Sequence, residues 1–305
     1  MKTKSVTLRR STVLVLGVLL AAVAAGGWEP QQPTPPQQPA PQVELNTILM
    51  ESTFRLEGKN AKGETLFGTS FLLGRPMTKD PSKLRFVLVT AAHVVEAFVG
   101  DQAVLVLRHR VNGHWERLPV ALPIRSNNQP LYVKHVVADI IALYVKIPQD
   151  AVPQILLPAA LLADDKTLVE YEIHPGDEVM CLGFPLGATS NEAGFPVLRS
   201  GKISSYPLIP TAETKTFLYD FPVFQGNSGG PVYLTSSNRV YAGAIHIGVT
   251  QMLLGVVIEE EFVTQSIKEL YSSTERRYPL GLAKVAHARF VKEAIAMLPD
   301  SDIVK

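Results

Sequence analysis

The sequence has 305 residues and is nearly neutral, with 29 Lys and Arg against 28 Asp and Glu and a formal net charge of +1. Because no basic cluster occurs outside the N-terminus, a nucleic-acid-binding surface is not predicted. The single cysteine, Cys181, excludes an intramolecular disulfide. It lies in an apolar run and is predicted to be a small buried residue rather than a nucleophile.

The first predicted element is an export signal. Four basic residues among the first ten precede an uncharged apolar run, Val13 to Gly27, the order typical of a signal peptide. The run approaches the roughly 20 residues that a membrane-spanning helix needs. Residues 1–27 are therefore predicted to be either a cleaved signal peptide or an N-terminal membrane anchor. In both cases the rest of the chain is expected to work outside the cytoplasm, periplasmic or secreted, and in the second case tethered to the membrane.

Residues 28–46 are predicted to be a linker. From Glu29 to Gln42 the chain is almost entirely Pro and Gln, a composition that buries little apolar surface and favours extended, solvated conformations. The remaining residues, 47–300, are enough for one large domain or two packed halves.

The first set of predicted strands occupies about residues 47–147. Six short runs enriched in β-branched and aromatic residues are separated by Gly, Pro, Asn or Asp, a pattern typical of antiparallel β-structure. They lie near Thr47 to Leu56, Thr65 to Leu73, Arg85 to Val89, Gln102 to Val111, His114 to Ala121 and His135 to Ile147. Asn112-Gly113, between the fourth and fifth, predicts a type I′ hairpin turn because both residues tolerate positive φ.

Residues 148–175 form a segment interrupted by several prolines. It is followed by a second set of six predicted strands within about residues 176–286. These lie near Glu178 to Phe184, Val197 to Tyr206, Thr214 to Phe221, Pro231 to Thr235, Val240 to Val249 and Leu280 to Val285. The pattern predicts an all-β fold of two six-stranded antiparallel β-barrels with a cleft between them. Helical spacing of apolar residues predicts a C-terminal helix over about 287–298, and Glu259 to Tyr271 shows partial helical periodicity.

Ser228 is the candidate nucleophile. In Gly226-Asn227-Ser228-Gly229-Gly230-Pro231 it lies between glycines, which permit a sharp turn and leave amide N–H groups uncovered. This run alone leaves three interpretations open: the G-x-S-x-G elbow of α/β-hydrolases, a peptidase loop, and a surface turn with an idle serine. The elbow requires a helix after the serine and then an acid and a histidine, whereas the residues that follow here are strand-like.

Two upstream side chains fit the chemistry of a serine nucleophile. His93 follows an apolar strand in Thr90-Ala91-Ala92-His93, where small neighbours leave the imidazole accessible. Asp139 begins the apolar run Asp139-Ile140-Ile141-Ala142-Leu143. A carboxylate in such a run needs a hydrogen-bond donor, and an imidazole N–H supplies one.

Through these three motifs the sequence resembles the chymotrypsin-like serine peptidases, especially the bacterial HtrA-like branch without its PDZ domains. The order His93, Asp139, Ser228 is that of the family. Supporting stretches are Gly68-Thr69-Ser70-Phe71, Pro175-Gly176-Asp177, Gly183-Phe184-Pro185 and Ser200-Gly201-Lys202-Ile203-Ser204. Together the matching stretches extend over most of residues 47–300, which we take as one trypsin-like protease domain.

The resemblance implies a serine endopeptidase with chymotrypsin-like barrels that acts on polypeptide substrates. Ser228 is expected to attack the peptide carbonyl, His93 to take its proton, and Asp139 to orient the imidazole. The amides of Gly226 and Ser228 are expected to form the oxyanion hole. Asn227 stands where digestive members carry an aspartate that pairs with a newly cut N-terminus, so activation by such a cut is not predicted.

The resemblance also implies the substrate-binding residues Gln225, Ala244, Ile245 and His246. The main chain from Ala244 to Gly248 is expected to pair with the substrate as an added strand. His246 resembles the histidine that receives Glu or Gln in glutamyl endopeptidases and viral 3C-type peptidases. A preference for Glu or Gln, or for small apolar residues, before the cut is therefore expected, with a structural role for His246 as the alternative.

No cofactor or metal site is predicted, because the other histidines lack ligand spacing. Two other functions are alternatives to the endopeptidase. One is a catalytically silent chymotrypsin-fold binding module of the cell envelope. The other is an α/β-fold esterase, which the motif order disfavours. The sequence does not indicate the natural substrate or the oligomeric state.

Overall fold

A computed structural model describes residues 44–153, 155–268 and 273–300. Residues 1–27, predicted to be a signal peptide or anchor, and nearly all of the predicted linker 28–46 lie outside the described residues. Those described all belong to one unit of the chain, Val43–Lys305. Within them, no helix has the length and apolar character needed to cross a membrane.

The described elements are mostly strands. The α-helices are α1 (Leu45–Ser52), α2 (Ala92–Glu96), α3 (Asp165–Glu170) and α4 (Ala288–Met297). The strands of the first half are β1 (Thr53–Lys59), β2 (Thr65–Pro76), β3 (Leu84–Thr90), β4 (Gln102–Val111), β5 (His114–Pro123), β6 (Arg125–Ser126), β7 (Gln129–Pro130), β8 (Val133–Lys134), β9 (Ile141–Tyr144) and β10 (Leu157–Pro158). Those of the second half are β11 (Glu178–Gly183), β12 (Val197–Lys202), β13 (Thr216–Asp220), β14 (Pro231–Tyr241), β15 (Ala244–Lys268) and β16 (Ser273–His287). Short 3₁₀ helices span Gln149–Ala151, Ala159–Leu161 and Pro185–Gly187.

The first sheet has the strand order β5-β4-β1-β2-β3-β9-β8, with β10 added in parallel to β2. Its other pairings are antiparallel, and alternate residues of β1, β2 and β3 enclose a core that includes Phe54, Leu72 and Leu88. The β4–β5 hairpin turns at Asn112 and Gly113, with φ of 50° and 83°. The predicted type I′ turn is thereby confirmed.

The second sheet has the order β12-β11-β14-β15-β16-β13. A bridge between Ile203 and Tyr219 joins its two end strands. Its own core includes Cys181, Phe217 and Tyr219, so Cys181 is buried as predicted. Another core contains residues of both sheets and of helices α1 and α4, and it fixes the two halves of the domain against each other.

The predicted all-β class, with two mainly antiparallel sheets and a C-terminal helix, is confirmed. The first sheet contains eight strands instead of six, because the short strands β8 and β10 also pair with it. The C-terminal helix covers Ala288–Met297, close to the predicted range.

Three predicted segments differ from the structure, and two of them are correct only in part. Thr47 to Leu56 begins as helix α1 instead of a strand; its buried residues Leu45, Ile48, Leu49 and Ser52 recur at helical spacing. The helical periodicity of Glu259 to Tyr271 is overridden, because residues through Lys268 pair with β16 in an antiparallel hairpin. Val240 to Val249 is interrupted by a turn at Ala242-Gly243, where φ is 50° and 71°.

Candidate active site

The segment around Ser228 consists of two consecutive tight turns before β14. The amide of Asn227 donates to Phe224 O at 3.0 Å, and the amide of Gly230 donates to Asn227 O at 3.0 Å. Gly226 and Gly229 have φ of 98° and 91°, a region that side chains other than hydrogen rarely allow. A Cβ at Gly226 would also lie 2.2 Å from Phe184 O. Glycine is therefore required for this path of the chain.

The orientation of two peptide groups in these turns is fixed by hydrogen bonds. Gln225 O accepts from the amide of Leu186 at 2.6 Å, and Asn227 O accepts from Gly230. In a trans peptide the C=O and the following N–H point in opposite directions, so the amides of Gly226 and Ser228 face away from those partners. Neither amide donates to another group of the described residues. The amide of the serine itself and that of Gly226, two residues earlier, are therefore uncommitted N–H donors of the kind that anion binding requires.

Thr69 of β2 attaches the serine segment to the first sheet. Its amide donates to Ser228 O at 2.8 Å, and its hydroxyl donates to Gly226 O at 2.6 Å. Its carbonyl accepts from the Thr90 hydroxyl at 2.6 Å. Because Thr90 ends β3 three residues before His93, this series of contacts places the serine segment at the boundary between the two sheets, near the start of α2.

His93 and Asp139 form a hydrogen-bonded pair. His93 lies in α2, and Asp139 lies in the loop before β9. The Asp139 carboxylate receives His93 Nδ1 at 2.5 Å and the His93 amide at 3.0 Å. Burial raises the pKa of Asp139, but the hydrogen bond and charge of His93 outweigh it, so the pKa lies below its usual value. Nδ1 is occupied and 47% of the side chain is exposed, so the free ring nitrogen of His93 is Nε2, which has no hydrogen-bond partner among the described residues.

Ser228 Oγ makes no hydrogen bond to a described residue, and both hydrogen bonds that His93 donates go to Asp139. The structure thus joins His93 to Asp139 directly. Ser228 is connected to this pair indirectly: its carbonyl is bonded to Thr69, and Thr69 is bonded to Thr90, three residues before His93.

The predicted substrate-binding residues separate into two places. Gln225 is exposed within the serine segment. Ala244, Ile245 and His246 lie beside the β14–β15 turn, paired with Tyr241, Val240 and Arg239. His246 stacks on Tyr241 at 3.6 Å between ring centroids and contacts its carbonyl at 3.1 Å.

That placement contradicts the prediction for Ala244, Ile245 and His246. The part of β15 that contacts the serine segment is Val257, which accepts from the amide of Gly229 at 2.8 Å and donates to Gly230 O at 2.9 Å. At about 3.3 Å per strand residue, His246 lies roughly 30 Å or more along β15 from this point. The prediction failed because the β14–β15 hairpin extends well beyond the neighbouring strands β11 and β16. The residues of one strand do not indicate how far a hairpin continues.

Asn227 is 1% exposed, and its Nδ2 has no hydrogen-bond partner among the described residues. No cluster of three or more His, Cys, Asp or Glu side chains able to hold a metal occurs within the described residues.

The sequence does not reveal the structural role of Thr69, although Gly68-Thr69-Ser70-Phe71 is one of the stretches that carry the resemblance. Nor does it reveal that of Val257, for which no local pattern gives a signal.

An all-β domain with a glycine-flanked serine and an imidazole–carboxylate pair at the boundary of its sheets defines a serine hydrolase of the trypsin-like type. The family model of the trypsin-like peptidase domain matches residues 68–242, more than half of the chain. The chain belongs to this family and is a serine protease. The narrower likeness to HtrA-like members stays a prediction.

Solved structures of proteases also resemble the chain. One is the thermostable serine protease AL20 from an extremophilic microorganism, with 10% identity, 82% of this chain and 98% of that chain covered, and a TM-score of 0.45. Another is the active form of the Rv3671c protease from M. tuberculosis, with 17% identity, coverage of 91% and 96%, and a TM-score of 0.44. A third is the scabies mite inactivated protease paralogue S-I1, with 14% identity, coverage of 83% and 97%, and a TM-score of 0.45. A comparison with curated proteins gives no match.

Proposed function

We propose that the protein is an active endopeptidase that hydrolyses extracytoplasmic proteins with Ser228 as nucleophile, His93 as general base and Asp139 as the residue that orients His93. The observation that carries this proposal is the pair of fixed, uncommitted amides at Gly226 and Ser228, on a segment bonded to the sheet whose strand β3 leads to His93. A surface turn without a catalytic role would not require two amides that are fixed in orientation and left without a hydrogen-bond partner.

The proposed reaction begins with attack of Ser228 Oγ on the substrate carbonyl carbon, while His93 Nε2 takes the hydroxyl proton. The carbonyl oxygen becomes an oxyanion and accepts hydrogen bonds from the amides of Gly226 and Ser228. The C–N bond then breaks, and His93 gives the proton to the leaving amine. Water, deprotonated by His93, hydrolyses the acyl-enzyme and restores Ser228. Catalytic hydrogen bonds often tighten only when substrate binds, so the Oγ-to-Nε2 contact is expected to form at that stage.

The proposed site of action is outside the cytoplasm. It is supported by the basic and apolar order of residues 1–27 and by the Pro/Gln-rich residues that follow. N-terminal sequencing of the protein from the extracytoplasmic fraction tests it: loss of most or all of residues 1–27 indicates a cleaved signal, and an intact N-terminus in the membrane fraction indicates an anchor. Recovery only from the cytoplasm contradicts the proposal.

The expected preference for Glu or Gln before the cut rested on His246, and its position beside the β14–β15 turn removes that support. A preference for small apolar residues stays a proposal, and a cleavage profile on a peptide library tests it.

A fluorophosphonate probe tests the catalytic proposal, since it reacts only with an activated serine. The unmodified protein is expected to be labelled at neutral pH, Ser228→Ala to take no label, and His93→Ala to react at least about 10³-fold more slowly. His246→Ala is the matched control and is expected to react like the unmodified protein. Absence of label in the folded, unmodified protein would favour the catalytically silent binding module.

A further inference from the structure

A second imidazole–carboxylate pair lies behind Asp139. His135 opens the loop that carries Asp139, and it is 4% exposed. Its Nδ1 accepts hydrogen bonds from the amides of Ala138 at 3.0 Å and Val137 at 3.3 Å. The backbone closes the same loop, because the His135 amide donates to Ile140 O at 2.9 Å and the Ile140 amide donates to Ala138 O at 2.8 Å. The residue before Asp139 is therefore held by the imidazole.

These contacts define the tautomer of His135. An Nδ1 that accepts from two amides carries no proton, so the neutral ring has its proton on Nε2. Nε2 lies 2.9 Å from Glu293 Oε2, and Arg289 Nε donates to the other carboxylate oxygen of Glu293 at 2.7 Å. Both residues belong to α4. The C-terminal helix thus supplies the acceptor that fixes which ring nitrogen faces the Asp139 loop.

Packing holds the ring in the same place. The His135 ring contacts the Phe290 ring at 5.1 Å between centroids. At the far side of the loop, Asp139 O accepts from the amide of Ala92 at 3.2 Å. The loop is therefore fixed at one end by His135 and at the other by the segment that bears His93.

From this arrangement we propose that His135 is a positioning residue. As a neutral imidazole whose tautomer is set by Glu293, it holds the Val137–Asp139 turn so that the Asp139 carboxylate accepts both the Nδ1 and the amide of His93. The proposal rests on the proposed function for its kinetic consequence, whereas the tautomer and the loop geometry are independent of activity.

Two variants that replace His135 by a residue with an amide side chain distinguish a positioning role from one in which the side chain only fills the core. His135→Asn keeps an acceptor close to the position of Nδ1, from which Asn side chains commonly accept amides two or three residues ahead. His135→Gln places its polar atoms nearer the position of Nε2 and loses that acceptor. We expect kcat within about threefold of the unmodified protein for His135→Asn, and a loss of about 10- to 100-fold for His135→Gln, with KM changed less than about twofold in both.

Phe290→Leu is the matched control for packing. It removes a ring that contacts His135 and leaves the loop amides bonded, so kcat is expected to stay within about threefold even where stability falls. If Phe290→Leu and His135→Gln lower kcat equally, or if both amide variants of His135 behave alike, His135 only fills the core and the proposal is overturned.

NMR of protein labelled with ¹⁵N-histidine supplies a readout that needs no substrate. His135 is expected to show an unprotonated Nδ1 and a protonated Nε2 at neutral pH, and the low-field proton between His93 and Asp139 is expected to be displaced in His135→Gln only. A protonated Nδ1 at His135 overturns the proposal even in an active enzyme. An inactive, unlabelled protein with the expected tautomer instead contradicts the proposed function.

Discussion

Two constraints at position 226 can be met only by glycine. Its φ is 98°, and a Cβ would lie 2.2 Å from Phe184 O. To relieve that clash, the peptide between Gln225 and Gly226 must rotate, and its N–H is one of the two proposed oxyanion-hole donors. We expect Gly226→Ala to lower kcat/KM by at least about 10²-fold, the usual effect of losing one oxyanion-hole donor, measured with a peptide substrate or by the rate of fluorophosphonate labelling.

The matched control is Gly243→Ala. Gly243 also has a positive φ, 71°, but a Cβ there meets nothing within 4 Å, and the residue lies in the distant β14–β15 turn. It is expected to lose about 1 kcal/mol of stability through backbone strain and no activity. Equal activity of the two variants would refute the role given to the Gly226 amide.

His287 predicts an acid-sensitive step in stability. The side chain is 3% exposed, and its Nε2 has no hydrogen-bond partner in the described part of the chain. Burial lowers the pKa of His287 from 6.5 to about 4, against a small opposing effect of Asp165. Because the folded protein resists protonation, the unfolded state binds the proton first, and stability falls as pH drops from about 6.5 to about 4.

The expected loss from this group is about 2 kcal/mol between pH 7 and pH 5. Urea unfolding at the two pH values measures it, and His287→Leu should reduce the difference by about that amount. His174→Asn is the control, since the His174 side chain is 64% exposed. A pH dependence that is identical in the unmodified protein and His287→Leu would show that the buried imidazole is not responsible.

Strand β15 changes its partners where it passes the serine segment. It pairs with β14 up to Val256 and with β16 from Gly255 onward, so beyond Val256 one edge has no partner among the described strands. Glu259 and Glu261 both bind Lys284, at 2.9 and 2.8 Å. Glu260 therefore lies on the opposite face, across from fully buried Ala283, and forms no ion pair with a described residue.

A substrate that adds to this edge as a strand would meet the unpaired carboxylate of Glu260. Glu260 is half-buried, and a charge pair close to the surface contributes about 1 kcal/mol, so we expect substrates with Lys or Arg near the cleaved bond to have a kcat/KM about three- to tenfold higher at low salt than their neutral counterparts. Glu260→Gln should abolish this difference, and Glu259→Gln should not. A library profile unchanged by Glu260→Gln would contradict the expectation.

Local chemistry made some of the elements predictable. The Asn112-Gly113 turn needs nothing beyond its own residues, and the strands next to it were placed correctly. Helix α1 was mistaken for a strand because Thr and Ile favour strands locally, whereas the burial of Leu45, Ile48 and Leu49 on one face depends on the packed core. The helical spacing after Glu259 is likewise overridden by pairing, because each residue from Glu259 to Lys268 is opposite a residue of the next strand, β16.

The site was predictable to a similar extent. His93, Asp139 and Ser228 stand in short motifs whose chemistry can be recognised without a structure. Thr69 and His135 act through hydrogen bonds to residues 157 and 158 positions away, and no local pattern encodes such contacts. His246 was misplaced because the length of a hairpin extension is a property of strand pairing.

The whole domain contributes to the proposed site. The first sheet and its loops carry His93 and Asp139, the second half carries Ser228, and α4 returns from the end of the second half to contact the Asp139 loop through Glu293. The core shared by both sheets holds these parts in place. Activity should therefore be more sensitive to bonds between the halves than to equally buried bonds within one half.

Thr69 permits a direct test of that expectation. Its hydroxyl is fully buried, donates to Gly226 O at 2.6 Å and accepts from the amide of Phe184 at 3.2 Å, so it joins the first sheet to two segments of the second half. Thr69→Val keeps the shape but leaves both partners unpaired, which should lower the free energy of unfolding by about 1–3 kcal/mol. Because Gly226 loses its anchor, kcat/KM should fall at least about tenfold, whereas Thr69→Ser should retain it.

Ser70→Ala is the comparison within one half. The Ser70 hydroxyl is equally buried and donates to Phe54 O at 3.2 Å, inside the first sheet. Its loss should lower stability by about 1 kcal/mol without a change in kcat/KM. Chemical denaturation and peptide hydrolysis on the same samples separate the two effects. If the activity of Thr69→Val falls only in proportion to its unfolded fraction, as any destabilised variant would, the bonds between the halves stabilise the domain but do not set the geometry of the serine segment.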